Sequence, residues 1–286
     1  MPKSEIYKDE PLKNHTTFKI GGPADFVVMP QSTEEIVNVL SLCRKNDVPY
    51  FVLGNGSNLL ADDSGYRGVI IKLAKNFSDI KVAGNFITAD AGALLSAVAN
   101  CAYEAGLGNM EFAAGIPGTI GGAVLMNAGA YDGEMKDIVI STEYIDENLN
   151  VQETCDHGFG YRTSRFQNMS CVITKTTVRL ECREKAKIKE KMSVLAQKRR
   201  EKQPLNFPSA GSAFKRPEGF FAAKLIDDAG LRGYKIGGAE VSEKHAGFIV
   251  NSGGATAADV KKLIEYVQST VKEKFGVTLE REIKFL

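Results

Sequence analysis

Apolar and polar residues recur along the chain with two periods, which predicts a mixture of helices and strands. Segments with apolar residues at helical spacing predict helices at 36–43, 94–105, 183–202, 221–229 and 257–275. Short apolar or alternating runs predict strands at 50–53, 69–71, 80–82, 86–89, 138–145, 172–180 and 277–285. The first third and the last eighty residues follow an α/β pattern and the middle is richer in strands, so we expect an α+β fold for the whole chain.

Polar residues and glycines mark the ends of the predicted helices. Ser32 followed three residues later by Glu35 is the signature of a capping box at a helix start. Thr256 is the expected N-cap of the helix at 257–275, and Gly276 is the residue expected to end it.

The charge pattern changes sharply in residues 183–202, which hold nine basic and three acidic residues. We expect a helix with a solvated basic face that ends before Pro204. This basic face is either exposed to solvent, as in a connecting helix, or it lies next to an anionic ligand. The change suggests a domain boundary here, with a first domain at 1–202, divided at about 75 into two subdomains, and a second domain at 203–286.

Overall composition is that of a soluble globular protein, with 43% apolar and 25% charged residues among 286. A net charge of +1 gives no reason to expect nucleic-acid or membrane binding. Residues 112–131 are uncharged but contain Pro117 and five glycines, which favours a folded loop over a membrane helix. Residues 1–5 lead into no apolar segment, so we expect no signal peptide and a cytoplasmic protein.

Several common functional sites are not indicated. Five cysteines without a Cys-x-x-Cys pair predict isolated thiols in a reducing compartment, and three histidines make a metal centre improbable. There is no P-loop motif, and the segment 54–59 lacks the third glycine of the dinucleotide fingerprint.

The first glycine-rich segment follows the predicted strand at 50–53. It consists of Gly54, Asn55, Gly56, Ser57 and Asn58. Glycines and small polar residues at the end of a strand let backbone N–H groups converge on an anion such as a phosphate. The alternative is a tight turn without a ligand.

The second glycine-rich segment, at 113–123, contains four glycines and one proline and no charge. The loss of chain entropy makes such a segment unsuited to the interior of a helix or strand. It is either a backbone that approaches a large flat ligand or an ordinary buried loop. The residues expected to bind that ligand are Gly115, Ile116, Pro117, Gly118, Gly121, Gly122 and Ala123.

Both glycine segments belong to an ordered set of motifs. The set continues through 14–24, 127–131, 161–166, 209–215, 223–227, 245–251 and 279–283. Together these motifs cover nearly the whole chain, and they resemble the bacterial UDP-N-acetylenolpyruvoylglucosamine reductases of peptidoglycan synthesis. The compact C-terminal region is similar to the shorter branch of that family, which lacks a tyrosine-bearing substrate loop.

The resemblance implies a two-subdomain FAD-binding fold of the vanillyl-alcohol-oxidase type, followed by a small α/β substrate domain whose last strand returns to the active site. It also implies NADPH as reductant and a hydride transfer from flavin N5 to UDP-N-acetylglucosamine enolpyruvate. Two alternatives remain open: a flavin oxidase of the same fold, and a non-redox nucleotide-sugar binding protein.

The resemblance also implies three catalytic residues, each in a matching motif: Arg162, Ser212 and Glu282. A guanidinium can stabilise charge that develops on the substrate carboxylate, and a hydroxyl can deliver the final proton. On the period-two pattern of the predicted last strand, Glu280 points to the same side as Glu282. Only the motif favours Glu282.

Four further residues are candidate substrate ligands: Tyr131, Lys215, Lys224 and Asn251. Each can donate a hydrogen bond to a diphosphate or a sugar, and a structural role is the alternative for each. Lys215, three residues after Ser212, is also a candidate to assist that serine.

Overall fold

The computed structural model describes residues 5–286, and residues 1–4, part of the segment on which the signal-peptide expectation rests, lie outside that range. The helices are α1 Thr33–Lys45, α2 Leu95–Glu104, α3 Ile120–Leu125, α4 Lys185–Lys202, α5 Ala222–Asp228 and α6 Ala257–Phe275. Within the described range, none of them is long and apolar enough to cross a membrane.

The strands are short and follow one another along the whole chain. They are β1 Glu5–Pro11, β2 Pro23–Met29, β3 Tyr50–Leu53, β4 Leu59–Leu60, β5 Tyr66–Lys72, β6 Ile80–Ala83, β7 Phe86–Asp90, β8 Leu107–Gly108, β9 Gly129–Ala130, β10 Gly133–Glu134, β11 Val139–Ile145, β12 Val151–Thr154, β13 Val172–Arg179, β14 Glu181–Cys182, β15 Ser209–Ser212, β16 Lys235–Ile236, β17 Ala239–Val241, β18 Phe248–Asn251 and β19 Lys284–Phe285.

The chain divides into two compact units, both built from separate segments. Unit 1 comprises the described residues up to Tyr7, Phe26–Asn55 and Gly68–Arg199. Unit 2 comprises Lys8–Asp25, Gly56–Arg67 and Arg200–Leu286. Unit 2 thus includes two segments that lie within the predicted first domain at 1–202, and the domain assignment at 1–202 and 203–286 stays a prediction.

Unit 1 is organised around an antiparallel sheet of order β12-β11-β13-β7-β6. Helix α3 packs on β13 and β7, and helix α2 packs on β7 and β6. Buried aliphatic side chains fill the space between them, among them Ile87, Val98, Ile120 and Val178. Strands β3 and β5 pair in parallel, in the sheet of order β1-β2-β5-β3.

Unit 2 contains the antiparallel sheet β15-β18-β17-β16, against which α6 packs. Val260, Leu263 and Val267 of α6 are fully buried. Phe18 and Leu60 belong to the same hydrophobic core. These contacts explain why the early segments 8–25 and 56–67 cluster with the C-terminal part of the chain.

The predicted helix boundaries are largely confirmed because the local signals act as expected. The Ser32 side chain accepts a hydrogen bond from the Glu35 backbone N–H at 3.2 Å. The Thr256 side chain accepts one from the Asp259 N–H at 3.0 Å, and Gly276 ends α6 with φ +71°. The prediction missed α3, which begins within the second glycine segment and ends two residues after it.

The predicted strand at 277–285 is wrong over most of its length. Only Lys284–Phe285 forms a strand, which pairs in parallel with Leu59–Leu60. Upstream, Arg281 makes a single antiparallel bridge to Phe214. The apolar residues Leu279 and Ile283 are buried in the core of unit 2. Their alternation with polar residues reflects this burial rather than a continuous ladder.

Candidate active site

The first two residues of the first glycine-rich segment meet the second segment within unit 1. A Cβ atom on Gly54 would lie 2.5 Å from the Thr119 Oγ1 atom. The Asn55 Nδ2 atom donates a hydrogen bond to the Pro117 carbonyl at 2.5 Å. Gly54 is therefore required by the contact between the segments, and the Asn55 amide holds them together.

An open cleft lies between these segments, and the space of about 470 Å³ around it includes open solvent. Its lining residues are Val52, Gly54, Leu73, Ala91, Thr119, Gly121, Gly122, Leu125, Cys171, Val172 and Ile173. Most of them contribute bare backbone or aliphatic surface. A mostly apolar lining with a few polar groups is typical of a site for an organic ligand.

The residues of the second glycine segment have different surroundings. Gly122 is exposed, and a Cβ there would contact only Thr119 Oγ1, at 3.5 Å. Gly121 is buried, where a Cβ would lie 2.7 Å from the Ala91 Cβ atom, and Ala123 lies in the core. The packing inside unit 1 thus explains Gly121 and Ala123 without any ligand.

Gly115 also has a neighbour within the protein. A Cβ there would lie 3.0 Å from Nη1 of Arg199, which comes from the basic helix α4. Burial lowers the pKa of the Arg199 guanidinium. One residue of the basic helix thus lies against the glycine segment, whereas most of the helix is exposed.

The last three residues of the first glycine segment belong to unit 2. Gly56 has φ +61°, and a Cβ there would lie 2.4 Å from the His15 carbonyl oxygen. Asn58 donates from Nδ2 to the Glu282 carbonyl at 3.1 Å. The Asn58 amide therefore contacts the C-terminal segment, and Ser57 between them is half-buried.

Arg162 lies at the tip of a two-residue turn in unit 1. Gly160 and Thr163 exchange two backbone hydrogen bonds at 3.0 and 3.3 Å, which closes the turn. Arg162 itself has φ +56°, a conformation that a non-glycine residue adopts at a cost. Its Nη2 atom donates to the Gly129 carbonyl at 3.2 Å, and its guanidinium lies 5.2 Å from the centre of the Tyr161 ring.

Asn127 is a buried residue of this region that the sequence analysis did not assign to the site. Its Nδ2 atom donates to Glu134 Oε2 at 3.0 Å and to the Gly160 carbonyl at 2.9 Å. Its Oδ1 atom accepts from the Lys136 backbone N–H at 2.9 Å. The only signal in the sequence is its place in the motif at 127–131, which carries no information on these partners.

Tyr131 lies at the tip of a second two-residue turn, between β9 and β10, with φ +58°. Its ring is about half exposed, at 48%. The hydroxyl donates to the Leu195 carbonyl of α4 at 3.1 Å. Tyr131 thus has a structural partner in unit 1 and an accessible ring.

Ser212 ends β15 in unit 2, directly after a bulge. The pairing of β15 with β18 shifts between Ser209 and Ser212, and Gly211 has φ +79°. A Cβ on Gly211 would meet no atom within 4 Å, so the backbone conformation alone requires glycine there. Bulges of this kind change the direction of side chains near functional sites. The residue after this bulge, Ser212, is half-buried.

Glu282 lies on the segment beside Ser212. Its backbone N–H donates to the Ala213 carbonyl at 2.9 Å. Glu280 instead is 72% exposed and forms an ion pair with Lys215. The structure therefore separates the two glutamates, which the period-two argument left equivalent: Glu282 is half-buried and Glu280 faces solvent.

The remaining candidates in unit 2 all have protein partners. Lys215 pairs with Glu280, and Lys224 lies 2.8 Å from Asp228 on the exposed face of α5. Asn251 accepts from the backbone N–H groups of Gly253 and Ala255, each at 3.1 Å, and thereby closes a loop. These contacts support the structural alternative most strongly for Asn251.

Comparison with known proteins identifies the family. A family model described as FAD binding domain matches residues 24–154, and one described as UDP-N-acetylenolpyruvoylglucosamine reductase, C-terminal domain, matches residues 203–286. The UDP-N-acetylenolpyruvoylglucosamine reductase of Caldanaerobacter subterraneus subsp. tengcongensis is 51% identical over 100% of this chain and 95% of its own length. The chain belongs to the UDP-N-acetylenolpyruvoylglucosamine reductase family.

Two further relatives of this reductase family agree with the assignment. The reductase of Clostridium perfringens (strain ATCC 13124) is 52% identical over 99% of this chain and 94% of its own length. The crystal structure of the reductase from Thermus caldophilus superposes with a TM-score of 0.84 at 37% identity, over 99% of this chain and 98% of that one. The predicted α+β fold with an FAD-binding domain and a C-terminal reductase domain is confirmed.

The lining of the cleft in unit 1 suits a part of the flavin dinucleotide that this reductase family implies. Gly122 presents bare backbone, and Val52, Leu73 and Ile173 present aliphatic surface suited to a planar ring. Burial raises the pKa of the Cys171 thiol, which also lines the cleft, to about 11, so this side chain stays a neutral, unreactive group. Across residues 5–286, no cluster of His, Cys, Asp and Glu is able to hold a metal ion.

Proposed function

We propose that this chain reduces UDP-N-acetylglucosamine enolpyruvate to UDP-N-acetylmuramate, with FAD as cofactor and NADPH as reductant. The observation that carries the proposal is the full-length similarity to UDP-N-acetylenolpyruvoylglucosamine reductases at 51% identity. The match of residues 203–286 to the C-terminal domain of these reductases favours this activity over a flavin oxidase or a non-redox nucleotide-sugar binder.

We propose that the two glycine segments hold the FAD. The binding residues are Gly54 to Asn58 of the first segment and Gly115 to Gly118 and Gly121 to Ala123 of the second. Bare backbone at Gly115 and Gly122 supports this assignment. Asn55 supports it indirectly, because its bond to Pro117 preorganises the cleft. When bound, the flavin supplies the hydride that reduces the enolpyruvyl double bond.

Arg162, Ser212 and Glu282 then carry the chemistry of the substrate. Arg162 stabilises the negative charge that builds on the substrate carboxylate, because a guanidinium is always charged and presents a fork of N–H donors. Ser212 delivers a proton to the α-carbon as a general acid. Glu282, on the segment beside Ser212, supplies a carboxyl that shares a hydrogen bond in the same reaction centre. Lys215 is the residue proposed to assist the weakly acidic serine.

Tyr131, Lys215, Lys224 and Asn251 remain proposed ligands of the diphosphate and sugar. The exposed ring of Tyr131 and the exposed ammonium of Lys224 support direct contact with a substrate. The reaction belongs to the synthesis of a peptidoglycan precursor, which links the chain to cell-wall biogenesis, cell shape and cell division. A cytoplasmic location and the absence of nucleic-acid and membrane partners belong to the same proposal.

A visible spectrum tests both half-reactions. We expect the purified protein to bind FAD, to lose the flavin colour with NADPH under anaerobic conditions, and to regain it when the enolpyruvyl sugar is added. Protein that binds the UDP-sugar but no FAD would contradict the redox assignment. Flavin that stays attached to denatured protein would favour the oxidase.

Ser212→Ala tests the proton donor. We expect NADPH to reduce the flavin normally. We expect the reoxidation of the flavin by the enolpyruvyl sugar, called the sugar step below, to be slowed by about 10²–10⁴-fold. Ser209→Ala is the matched control, because Ser209 lies in the same strand and is also half-buried. A normal sugar step in Ser212→Ala would remove this role.

A further inference from the structure

Two tight turns in unit 1 carry two of the proposed site residues, and a single side chain joins them. One turn, closed by Gly160 and Thr163, carries Arg162, and the other, between β9 and β10, carries Tyr131. Both residues adopt positive φ, at +56° and +58°. Asn127 lies between the turns with 0% exposure.

The hydrogen bonds of Asn127 reach both turns at once. One N–H of its amide donates to the carbonyl of Gly160. Gly160 is the first residue of the turn that carries Arg162. The other donates to Glu134 in β10, and the amide oxygen accepts from the N–H of Lys136. Both hydrogens and the oxygen of the amide are therefore hydrogen-bonded. Three such bonds from one side chain favour a single arrangement of the two turns.

The same hairpin also holds the guanidinium. Gly129, whose carbonyl accepts from Arg162, pairs with Glu134 across the β9–β10 ladder. A Cβ on Gly129 would lie 2.6 Å from the Glu134 Cγ atom, so the two strands are in close contact. The ion pair with Lys136 is the main cause that lowers the pKa of Glu134, and the charge of Arg162 contributes.

We propose that Asn127 is a positioning residue for Arg162: it fastens the Arg162 turn to the β9–β10 hairpin and thereby sets the direction of the guanidinium. The proposal rests on the function proposed for Arg162. A merely structural interior position would be filled as well by an apolar side chain, whereas a buried amide with three partners specifies orientation. Glu134 assists, because it takes the second amide hydrogen and its charge acts on Arg162.

Asn127→Asp tests the proposal, since aspartate has nearly the same shape but no N–H to donate. In anaerobic single-turnover experiments we expect the reduction of bound flavin by NADPH to change by less than about twofold. We expect reoxidation by the enolpyruvyl sugar to slow by about tenfold or more, because small misplacements of a catalytic group are costly. Equal changes in the two steps, or no change in the sugar step, would overturn the proposal.

A double-mutant cycle tests whether Asn127 acts through Arg162. In the background of Arg162→Ala, we expect Asn127→Asp to slow the sugar step by less than about twofold more. If the tenfold effect persists there, Asn127 acts independently and the proposal is wrong. If Arg162→Ala alone leaves the sugar step unchanged, the role proposed for Arg162 fails, and this inference fails with it.

Glu134→Gln provides a second test if Asn127→Asp does not bind FAD. Its matched control is Glu143→Gln, because both glutamates form an ion pair with a lysine and accept a hydrogen bond from a neutral side chain, and their own side chains are 27% and 28% exposed. We expect Glu134→Gln to slow the sugar step by about threefold while the control leaves both steps unchanged. The same result in both variants would contradict the proposal.

Discussion

Arg162 and the pair Ser212 and Glu282 are held in place by different means. Around Arg162 in unit 1 the decisive contacts come from side chains, above all the buried amide of Asn127. Around Ser212 and Glu282 in unit 2 they come mostly from the backbone: Ala213 donates to the Gly247 carbonyl at 2.8 Å and accepts from Glu282 at 2.9 Å. The Asn58 amide adds one side-chain bond to the Glu282 carbonyl, at 3.1 Å.

This difference determines what a mutation measures in each unit. A side chain in a backbone-bonded segment can be replaced without loss of the bonds that hold the segment. Changes at Ser212 or Glu282 therefore report mainly on chemistry. Near Arg162, replacing one neighbour removes bonds that other residues need, so stability and chemistry change together.

The largest effect is expected from Glu282→Gln. The backbone bond to Ala213 stays, but the carboxyl is lost, and we expect the sugar step to slow by about 10²–10⁴-fold. Glu280→Gln should change that rate by less than about twofold, because Glu280 is exposed and pairs only with Lys215 among the described contacts. Stopped-flow reoxidation of reduced enzyme measures both. Similar rates for the two variants would reject the assignment of Glu282.

The next largest effect is a loss of stability in Asn127→Ala. Asn127 is fully buried, and two acceptors and one backbone N–H lose the partner that it provides, so we expect about 3 kcal/mol of unfolding free energy to be lost. Asn251→Ala also removes three hydrogen bonds, here all to backbone groups. Asn251 is only partly buried, so water can replace these bonds, and we expect a loss of about 1 kcal/mol of unfolding free energy. Urea unfolding compares the two, and equal losses would show that burial does not set the difference.

Gly211→Ala should have a smaller effect that depends on backbone strain alone. A Cβ meets no atom within 4 Å, yet φ is +79°, so about 1 kcal/mol is expected. Gly84→Ala, in the β6–β7 turn with φ +60° and equally open surroundings, is the matched control. We expect similar unfolding midpoints, and a slower sugar step only for Gly211→Ala, whose bulge presents Ser212. A normal sugar step in Gly211→Ala would show that the bulge does not position the serine.

The smallest effect concerns the pH dependence of stability. His157 is buried between the Thr142 hydroxyl and the Cys155 carbonyl, each 3.0 Å from a ring nitrogen. Burial lowers its pKa below the ordinary 6.5. The unfolded chain therefore binds a proton at His157 more readily than the folded chain does. The contribution of the buried, neutral His157 to the free energy of unfolding is complete above pH 6.5. It is lost as the pH falls through 6.5 towards the lower pKa of the folded state.

Urea unfolding between about pH 7.5 and about pH 5.5 measures this loss. His157→Gln keeps a donor and an acceptor but does not titrate, so its stability should fall less over the same range. His245 remains in this variant, and burial lowers its pKa as well, so some pH dependence should persist. Identical slopes for the variant and the unmodified protein would contradict the role of His157.

Local patterns in the sequence predicted most helices and several strands correctly. Helix α6 begins and ends at the residues expected from its capping threonine and its terminal glycine, because these signals act within one turn of the helix. The β6–β7 hairpin follows its Gly84-Asn85 turn for the same reason. The strand expected at 277–285 failed because alternation records burial, and burial also alternates in a segment that pairs at a single bridge.

The roles of single polar residues were less accessible from the sequence. Asn58 was assigned to cofactor binding, yet its amide contacts Glu282, 224 residues away along the chain. Asn127 had no assigned role, and its bond to Gly160 spans 33 residues. No periodicity or turn signal specifies a side-chain hydrogen bond between distant segments.

The sequence by itself determined the family, the helix ends, the two glycine segments and the residue types of the proposed chemistry, because these depend on short-range order and on motifs within continuous segments. Only the tertiary structure decided that each unit is built from separate segments, that Glu282 rather than Glu280 lies sheltered beside Ser212, and that Asn127 joins two turns. The physical reason is that burial and hydrogen bonding between distant segments arise only when the chain has folded.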